Sequence, residues 1–172
     1  YEMSDKKVLI TGASGGIGDS LCEKYISSNC KLICTSSNID RLKKLENKYG
    51  SSHNYYLLNF FDNDLFSESI KQIASEHKDI DILINNAGIT SDNLFLRMKK
   101  DQWLDVINVN LNSNFDIIKE ILPNMIKNKS GNIIGITSVV AITGNPGQSN
   151  YTASKSAMIA MYKSIALEVA KR

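Results

Sequence analysis

The fold is decided by residues 6–18, which read KKVLITGASGGIG. Val8, Leu9 and Ile10 form a short apolar run typical of a buried strand, and an amphipathic segment to about Ser28 follows the glycines. Because glycine has no Cβ atom, the stretch can turn tightly, and backbone N–H groups at the helix start can approach a phosphate closely. The sequence therefore predicts a strand, a phosphate-binding turn and a helix, as at the first crossover of dinucleotide-binding folds.

The glycines of this turn are spaced Gly12-x-x-x-Gly16-x-Gly18 rather than in the commoner Gly-x-Gly-x-x-Gly pattern. Taken alone, this spacing also fits a flexible turn that binds nothing. The strand before it and the helix after it favour the phosphate-binding interpretation.

The rest of the chain alternates apolar strand candidates with helical patterns. This alternation predicts an α/β fold with a parallel, doubly wound sheet and right-handed crossovers. The strand cores are continuously apolar, as expected when helices cover both faces of the sheet. We expect a single domain over residues 1–172, with strands at 31–35, 54–59, 80–85 and 132–137 and helices near 40–49, 64–76, 100–127 and 151–171.

Composition argues against several classes of partner. Charged residues make up 22% of the chain, the formal charge is +2 and there is no polybasic run. Neither nucleic acid nor a membrane is therefore expected as the main partner. The N-terminus has no apolar signal region, which indicates a cytoplasmic protein. We expect Cys22, Cys30 and Cys34 to be reduced core cysteines, and His53 and His77 to be solvated surface residues rather than metal ligands.

A second motif lies near the end of the chain, where Tyr151 and Lys155 are four residues apart. On a helix, this spacing places both side chains on one face. An ammonium beside a phenol favours the phenolate, which prepares the hydroxyl to exchange a proton with a carbonyl or alcohol oxygen. Ser138 follows an apolar strand and could hydrogen-bond the same oxygen. In an arbitrary helix, such a Tyr/Lys pair is more often an ordinary solvated surface pair. The glycine turn at the other end of the chain is what favours a catalytic interpretation.

Five motifs, in order along the chain, resemble the short-chain dehydrogenase/reductase family. They are TGxxxGxG at 11–18, NNAG at 85–88, Asn110, Ser138 and YxxxK at 151–155. Within that family, residues 85–98 and 144–151 resemble the 3-oxoacyl-[acyl-carrier-protein] reductase branch. The resemblance implies a Rossmann-type sheet with strand order 3-2-1-4-5. It also implies an NAD(P)-dependent oxidoreductase that reduces a 3-oxoacyl thioester on acyl carrier protein in fatty-acid synthesis.

The same resemblance implies roles for individual residues. Tyr151 would donate a proton, Ser138 would hold the substrate oxygen, and Lys155 would prepare Tyr151 and bind the nicotinamide ribose. Asn110 would hold a water that links Lys155 to solvent, although a solvated helix position is the alternative. Phe60 could equally be a core residue. The implied cofactor-binding residues are Gly12, Ala13, Ser14, Gly15, Gly16, Ile17, Gly18, Ser37, Asn59, Phe60, Asn86, Ala87, Gly88, Tyr151 and Lys155.

The choice between NADPH and NADH depends on the end of the second strand. NAD-specific members carry an acidic residue there, which binds the ribose 2′-hydroxyl and would repel a 2′-phosphate. Here the strand ends in TSSN at 35–38, and the first acid is Asp40, so NADPH is favoured over NADH. Many NADP-binding members carry a basic residue where this chain has Gly15. Arg41 at the start of the next helix is a candidate replacement.

Protein partners are implied by the apolar helices and by the resemblance. The run at 157–162 is apolar on all sides of its helix, so it must be buried on two faces. With the segment at 101–127, this indicates a homotetramer through helices 101–127 and 151–171, as in the family. Carrier proteins are acidic, and Lys129 and Arg172 match basic docking positions of the branch, although two ordinary helix-end cations are the alternative.

The family's sheet normally has seven strands, and this sequence stops at Arg172, where the sixth should begin. We therefore expect strands 6 and 7 and the substrate lid to be missing from a domain truncated at its C-terminus. Two alternatives to the reductase remain open. One is a short-chain dehydrogenase that acts on another small ketone, such as acetoacetyl-CoA, and the other is a non-catalytic dinucleotide-binding relative.

Overall fold

A five-stranded parallel sheet organises the chain. The computed structural model describes residues 3–172. Within them the strand order is β3-β2-β1-β4-β5, as predicted, and every neighbouring pair is parallel. The strands are β1 Lys7–Ile10, β2 Lys31–Ser36, β3 Asn54–Leu57, β4 Ile82–Asn85 and β5 Asn132–Gly135.

The helices connect these strands and cover both faces of the sheet. Two of them begin at side-chain caps, where Asn38 and Asp62 each accept a backbone N–H three residues on. The helices are α1 Gly16–Ser27, α2 Ile39–Tyr49, α3 Asn63–Glu76, α4 Lys100–Ile107, α5 Ser113–Asn128, α6 Val140–Thr143 and α7 Ser149–Val169. A 3₁₀ turn covers Phe95–Arg97, and a π-helical turn at Asn108–Asn112 separates α4 from α5.

Two apolar cores lie on opposite faces of the sheet, because successive strand residues point to opposite sides. On β1, Leu9 packs with residues of α3 and α5, while Val8 and Ile10 pack on the other face beside α1. All three strand residues are at most 2% exposed. The continuous apolar run read from the sequence is therefore buried on both faces.

This strand order places a crevice at the carboxyl ends of β1 and β4. β1 pairs with β2 on one side and with β4 on the other, so the helices after β1 and β4 leave in opposite directions. In open parallel sheets, ligands bind at such a switch point. Within residues 3–172, no helix is both long enough and apolar enough to cross a membrane.

The structure corrects several expectations about local structure. Strands β3 and β5 end two residues earlier than predicted, because their ladders close at the pairs Ser36–Leu57 and Asn85–Gly135. The helix predicted at 100–127 is interrupted by the π turn, and the short helix α6 was not predicted.

The prediction that both histidines are solvated was wrong. His77 is only 8% exposed, and its Nε2 lies 2.7 Å from the Tyr56 hydroxyl. The half-buried His53 accepts a hydrogen bond from the Leu32 N–H through Nδ1 at 3.1 Å. Burial lowers the pKa of both imidazoles. Each histidine therefore has a packing role.

Candidate functional site

The glycine turn after β1 needs glycine at two positions. Gly12 has a φ of +63°, and a Cβ there would lie 2.9 Å from the Cα of Ala87. A Cβ on Gly18 would overlap the carbonyl oxygen of Gly12 and lie 2.7 Å from the Cα of Ala13. The turn, helix α1 and the loop after β4 can therefore approach one another only without side chains at these positions.

A groove of about 380 Å³ opens above this turn. It brings together most of the residues predicted to bind the cofactor, namely Gly12, Ser14, Gly15, Gly16, Ile17, Gly18, Ser37, Phe60, Asn86, Ala87 and Gly88. Phe60 also packs against the core, so both of its predicted roles are compatible with its position. The groove is additionally lined by Arg41, Phe61, Ile89 and Val109. Phe61 and Ile89 directly follow the predicted residues Phe60 and Gly88 along the chain, whereas tertiary packing alone brings Val109 to the groove.

Four predicted cofactor residues do not line this groove, namely Ala13, Asn59, Tyr151 and Lys155. Ala13 is fully buried, and its backbone N–H donates to the Thr35 carbonyl at 2.9 Å. Asn59 uses its side-chain oxygen to accept the Phe61 N–H at 3.1 Å. Ala13 and Asn59 therefore shape neighbouring turns.

The glycine turn and the Asn86–Gly88 turn are held together by Thr11. Its Oγ1 accepts the backbone N–H groups of Asn86 and Ala87, each at 3.0 Å. The Asn86 amide returns hydrogen bonds to the carbonyls of Thr11 at 3.0 Å and Gly12 at 3.1 Å. The two turns therefore form one rigid floor for the groove. Thr11 was quoted as part of the motif, but its role as a cross-link depends on contacts that the sequence does not display.

The end of β2 presents hydroxyl groups to the groove. The buried Ser36 lies 2.7 Å from Ser14, hydroxyl to hydroxyl, and its Oγ accepts the Asn38 N–H at 3.2 Å. Ser37 and Arg41 are exposed and line the groove. Among the described residues that line this groove, none carries a carboxylate. The end of the groove beside β2 can therefore accommodate an anionic group.

Asn110 is fully buried within the π turn, which excludes the solvated position considered as the alternative. Its side chain binds the backbone of Ile89 in both directions, accepting from N–H at 2.8 Å and donating to the carbonyl at 2.9 Å. The same amide donates to Ser154 Oγ at 3.2 Å. Asn110 therefore joins the loop after β4 to helix α7, which carries Tyr151 and Lys155.

Lys155 lies where the groove meets the residues predicted to be catalytic. Its Nζ donates to the Ile136 carbonyl at 2.7 Å and lies 5.8 Å from the centroid of the Tyr151 ring. A Cβ on Gly88 would be 3.4 Å from this Nζ and 3.2 Å from Asn110 Oδ1. Burial lowers the pKa of the Lys155 ammonium to about 8. A strongly perturbed cation beside a groove is typical of a functional site.

Ser138 follows β5 in a segment that contacts helix α7 on either side of it. Thr137 Oγ1 donates to the Lys155 carbonyl at 3.2 Å, and Ser156 Oγ donates to the Ala141 carbonyl at 2.6 Å. Among residues 3–172, Ser138 Oγ itself accepts only the Val140 N–H, at a long 3.4 Å. Its hydroxyl hydrogen therefore remains available to a ligand. A buried residue that sequence reasoning missed, Asn150, fixes the start of α7 by donating to the carbonyls of Ser91 and Gln102.

The basic pair predicted to dock a carrier protein lies elsewhere. Lys129 ends α5 with a φ of +53°, and with Arg172 it lines an apolar groove beside the first residues of β5. Tyr151 lies in the first turn of α7, at the carboxyl ends of the strands, whereas Arg172 follows the last turn of that helix. Within one chain, the two cations are therefore at the opposite end of the sheet from the predicted catalytic residues.

The cysteines follow the prediction. All three are free and buried, and the sulfurs of Cys22 and Cys34 lie 3.7 Å apart inside the core. Among residues 3–172, no cluster of histidine, cysteine, aspartate or glutamate has the arrangement of a metal site.

The sequence of this chain matches a family model and several known proteins. A family model described as short chain dehydrogenase matches residues 6–172. The chain is 45% identical to the 3-oxoacyl-[acyl-carrier-protein] reductase FabG of Buchnera aphidicola from Acyrthosiphon pisum, over 95% of this chain and 67% of that protein. It is 41% identical to the protein of that name from Salmonella typhimurium, over 97% of this chain and 68% of that protein. Nodulation protein G of Rhizobium sp. is 38% identical over 100% of this chain and 70% of its own length.

The fold has close counterparts among solved structures. One, described as a short chain dehydrogenase/reductase family protein, has a TM-score of 0.90 and covers 99% of this chain and 71% of that chain, at 24% identity. The resemblance inferred from the motifs is confirmed by the family model and the relatives together. The chain belongs to the short-chain dehydrogenase family of oxidoreductases, which use a nicotinamide dinucleotide cofactor.

Proposed function

We propose that this oxidoreductase reduces the 3-oxo group of an acyl thioester carried by acyl carrier protein, with NADPH as the reductant. The relatives named as 3-oxoacyl-[acyl-carrier-protein] reductases support the substrate class. The observation that carries the proposal is the convergence of Asn110 and Lys155 on Gly88, at the end of the groove nearest Tyr151. This convergence supports the proposal, because a carbonyl reductase needs a proton source beside its cofactor and Lys155 would prepare Tyr151 for that role.

The residues present fit such a cofactor. The glycine turn at the start of α1 exposes backbone N–H groups to a pyrophosphate, and nothing lies within 4 Å of a Cβ built on Gly16, so the groove is open there. Asn86, Ala87 and Gly88 would hold the nicotinamide side of the cofactor, and Phe60 and Phe61 would offer apolar rings to its adenine. When bound, the reduced nicotinamide supplies the hydride.

The side chains of this chain supply orientation and the proton. Ser138 Oγ donates a hydrogen bond to the substrate oxygen, and Tyr151 donates its phenolic proton to that oxygen. Lys155 is charged below about pH 8, so its ammonium stabilises the phenolate that remains on Tyr151. Asn110 fixes the backbone at Ile89, which borders the groove.

The preference for NADPH rests on the end of β2. Ser37 can donate a hydrogen bond to a ribose 2′-phosphate, and the exposed Arg41 can neutralise it. Ser36 cannot take this part, because Ser14 and Asn38 already occupy its hydroxyl. Arg41 thus replaces the cation that Gly15 does not provide.

Exposed apolar side chains on the outer faces of two helices support association with other chains. Leu167 on α7 is 86% exposed and Phe115 on α5 is 51% exposed. A homotetramer formed through α5 and α7 would cover these side chains. Docking of the acidic carrier protein on Lys129 and Arg172 would then serve the active site of a neighbouring copy, because the pair lies far from Tyr151 within its own chain.

The proposal is tested by NADPH oxidation with three substrates: acetoacetyl-carrier protein, acetoacetyl-CoA and a small ketone without a thioester. We expect the highest kcat/KM with the carrier-bound substrate. A preference for the small ketone would favour the alternative dehydrogenase. NADPH binding without turnover of any of the three would favour the non-catalytic relative.

The docking step has its own control. Lys129→Glu should weaken activity on the carrier-bound substrate and leave the CoA analogue unaffected. Equal losses on both substrates would contradict docking through this residue.

A further inference from the structure

A chain of buried hydrogen bonds joins β4 to the π turn. The Asn85 amide donates to the Tyr162 hydroxyl at 2.8 Å, and this hydroxyl donates to Asn114 Oδ1 at 2.7 Å. The Asn114 amide then donates to the Asn110 carbonyl at 2.9 Å. Asn85 is 1% exposed and Asn114 is 2% exposed. We call Asn85, Tyr162 and Asn114 the buried polar chain. It connects β4, which ends at the Asn86–Gly88 turn, with the π turn that carries Asn110.

The sheet makes room for Tyr162 at one position. A Cβ on Gly135 of β5 would lie 2.7 Å from Cζ and 3.0 Å from the hydroxyl oxygen of Tyr162. The ring can therefore extend from α7 across β5 to Asn85 only because position 135 has no side chain. The contact depends on a glycine in one element and a tyrosine in another.

The π turn is held by side chains as well as by its backbone. Ser113 Oγ donates to the Val109 carbonyl at 2.6 Å, next to the bond that Asn114 makes to the Asn110 carbonyl. A π turn has a wider backbone repeat than an α-helix and often marks a functional position. Asn110 is thus fixed from two directions, at its side chain by Ile89 and at its carbonyl by Asn114.

The buried polar chain contains a destabilising feature that selection for stability alone would remove. Asn85 Oδ1 is buried and accepts no hydrogen bond within residues 3–172. An unpaired buried amide oxygen destabilises a fold, and an apolar pair of similar shape would avoid this. Burial also raises the pKa of Tyr162 to about 12, so its hydroxyl stays neutral and keeps its donor at ordinary pH. These features point to a role beyond packing.

We infer that the buried polar chain positions Asn110, and through it the Ile89 backbone, relative to the Asn86–Gly88 turn. Tyr162 and Asn114 are then positioning residues for the reduction, and this inference rests on the function proposed above. A small displacement of a reacting geometry lowers turnover strongly, whereas cofactor binding depends mainly on the glycine turn.

The kinetic test uses Tyr162→Phe and Asn114→Ala. We expect each to lower kcat by about tenfold to a hundredfold, because small misplacements of reacting groups have effects of that size. The KM for NADPH should stay within about twofold, since neither residue lines the groove. Asn114→Ser should retain most of the parent kcat, because a hydroxyl there can donate to the Asn110 carbonyl as Ser113 does to Val109.

The matched control is Tyr56→Phe, which removes a partly buried hydroxyl on β3 that bonds Glu76 and His77. This variant should lower the thermal midpoint without lowering kcat. If Tyr56→Phe lowers kcat as much as Tyr162→Phe, loss of stability explains the effect and the inference fails. If Tyr162→Phe does not fold, the comparison of Asn114→Ala with Asn114→Ser carries the test.

A second measurement needs no substrate. Hydrogen exchange at the Ile89 amide reports its bond to Asn110 Oδ1 directly. We expect faster exchange there in Tyr162→Phe and Asn114→Ala, and parent-like exchange in Tyr56→Phe. Unchanged exchange overturns the inference, and so does parent-like kcat in both variants. If the parent reduces no 3-oxoacyl thioester, the proposed function fails, while the exchange measurement still decides whether the buried polar chain positions Asn110.

Discussion

The groove predicted to bind the cofactor and the residues proposed as catalytic meet at Gly88, but different interactions hold them. The groove is shaped mainly by backbone, where Gly12 and Gly18 allow the turn, the helix and the next loop to approach closely. The catalytic side is shaped by buried side chains, with Asn110 and Lys155 bonded to backbone carbonyls of other segments. This difference suggests that binding and turnover respond to different substitutions.

The largest expected effect is a loss of turnover without a loss of cofactor binding. Tyr151→Phe removes the proton donor but keeps the ring, so turnover should fall by about 10²–10⁴-fold. The dissociation constant for NADPH should remain near that of the parent, because the glycine turn is untouched. Both quantities come from one preparation, by NADPH oxidation and by fluorescence titration. Parent-like turnover in this variant would refute the assignment of Tyr151.

The converse variant is Gly18→Ala. Its Cβ would overlap the Gly12 carbonyl, so the glycine turn or helix α1 must move. Overpacking of this kind costs about 1–3 kcal/mol, which corresponds to about fivefold to 150-fold in NADPH affinity if the turn absorbs the shift. Gly16→Ala is the control for stability, because no atom lies within 4 Å of its added Cβ. Parent-like affinity and unfolding midpoint in Gly18→Ala would show that the close approach is unimportant.

The pH dependence should reveal Lys155, where the two regions meet. Its pKa is lowered to about 8 from 10.5, so the ammonium that turnover requires is lost as the pH rises through about 8. We expect kcat/KM to fall by about tenfold per pH unit above that value.

Stability should respond to this group in the opposite direction. The folded chain releases the Lys155 proton at a lower pH than the unfolded chain does. The contribution of this group to the free energy of unfolding therefore rises from about pH 8 toward 10.5. The comparison is with Lys155→Met, which cannot titrate there. A stability difference between the two proteins that is constant across this range would rule out the buried ammonium.

The smallest expected effect concerns cofactor preference at the end of the groove beside β2. Ser37→Asp places a carboxylate where a 2′-phosphate is expected, and two unit charges about 4 Å apart in water repel by about 1 kcal/mol. The preference for NADPH over NADH, measured as a ratio of kcat/KM values, should therefore fall by about fivefold to tenfold. Ser51→Asp, an exposed position in the turn before β3, should leave the ratio unchanged. A parent that already uses NADH equally well would contradict the cofactor assignment.

The two regions also differ in how far the sequence predicts them. The glycine turn is a local pattern in which strand, turn and helix are adjacent along the chain, so the parallel sheet and most of the groove could be predicted. Tyr151 and Lys155 were predictable for the same reason, because one turn of one helix relates them.

The remainder depends on contacts between distant segments. Val109 lines the groove through tertiary packing alone, and the ring of Tyr162 crosses β5 at Gly135. The π turn at Asn110 was read as ordinary helix, because helical periodicity does not register a single widened turn.

The central claim is that the two regions act together as a 3-oxoacyl thioester reductase. In the most direct test, the parent protein is incubated with NADPH and acetoacetyl-carrier protein, and the mass of the product is measured by mass spectrometry. The account predicts one 3-hydroxyacyl thioester, heavier by two hydrogen atoms, for each NADPH oxidised. Bound NADPH with the 3-oxoacyl thioester recovered unchanged would contradict it.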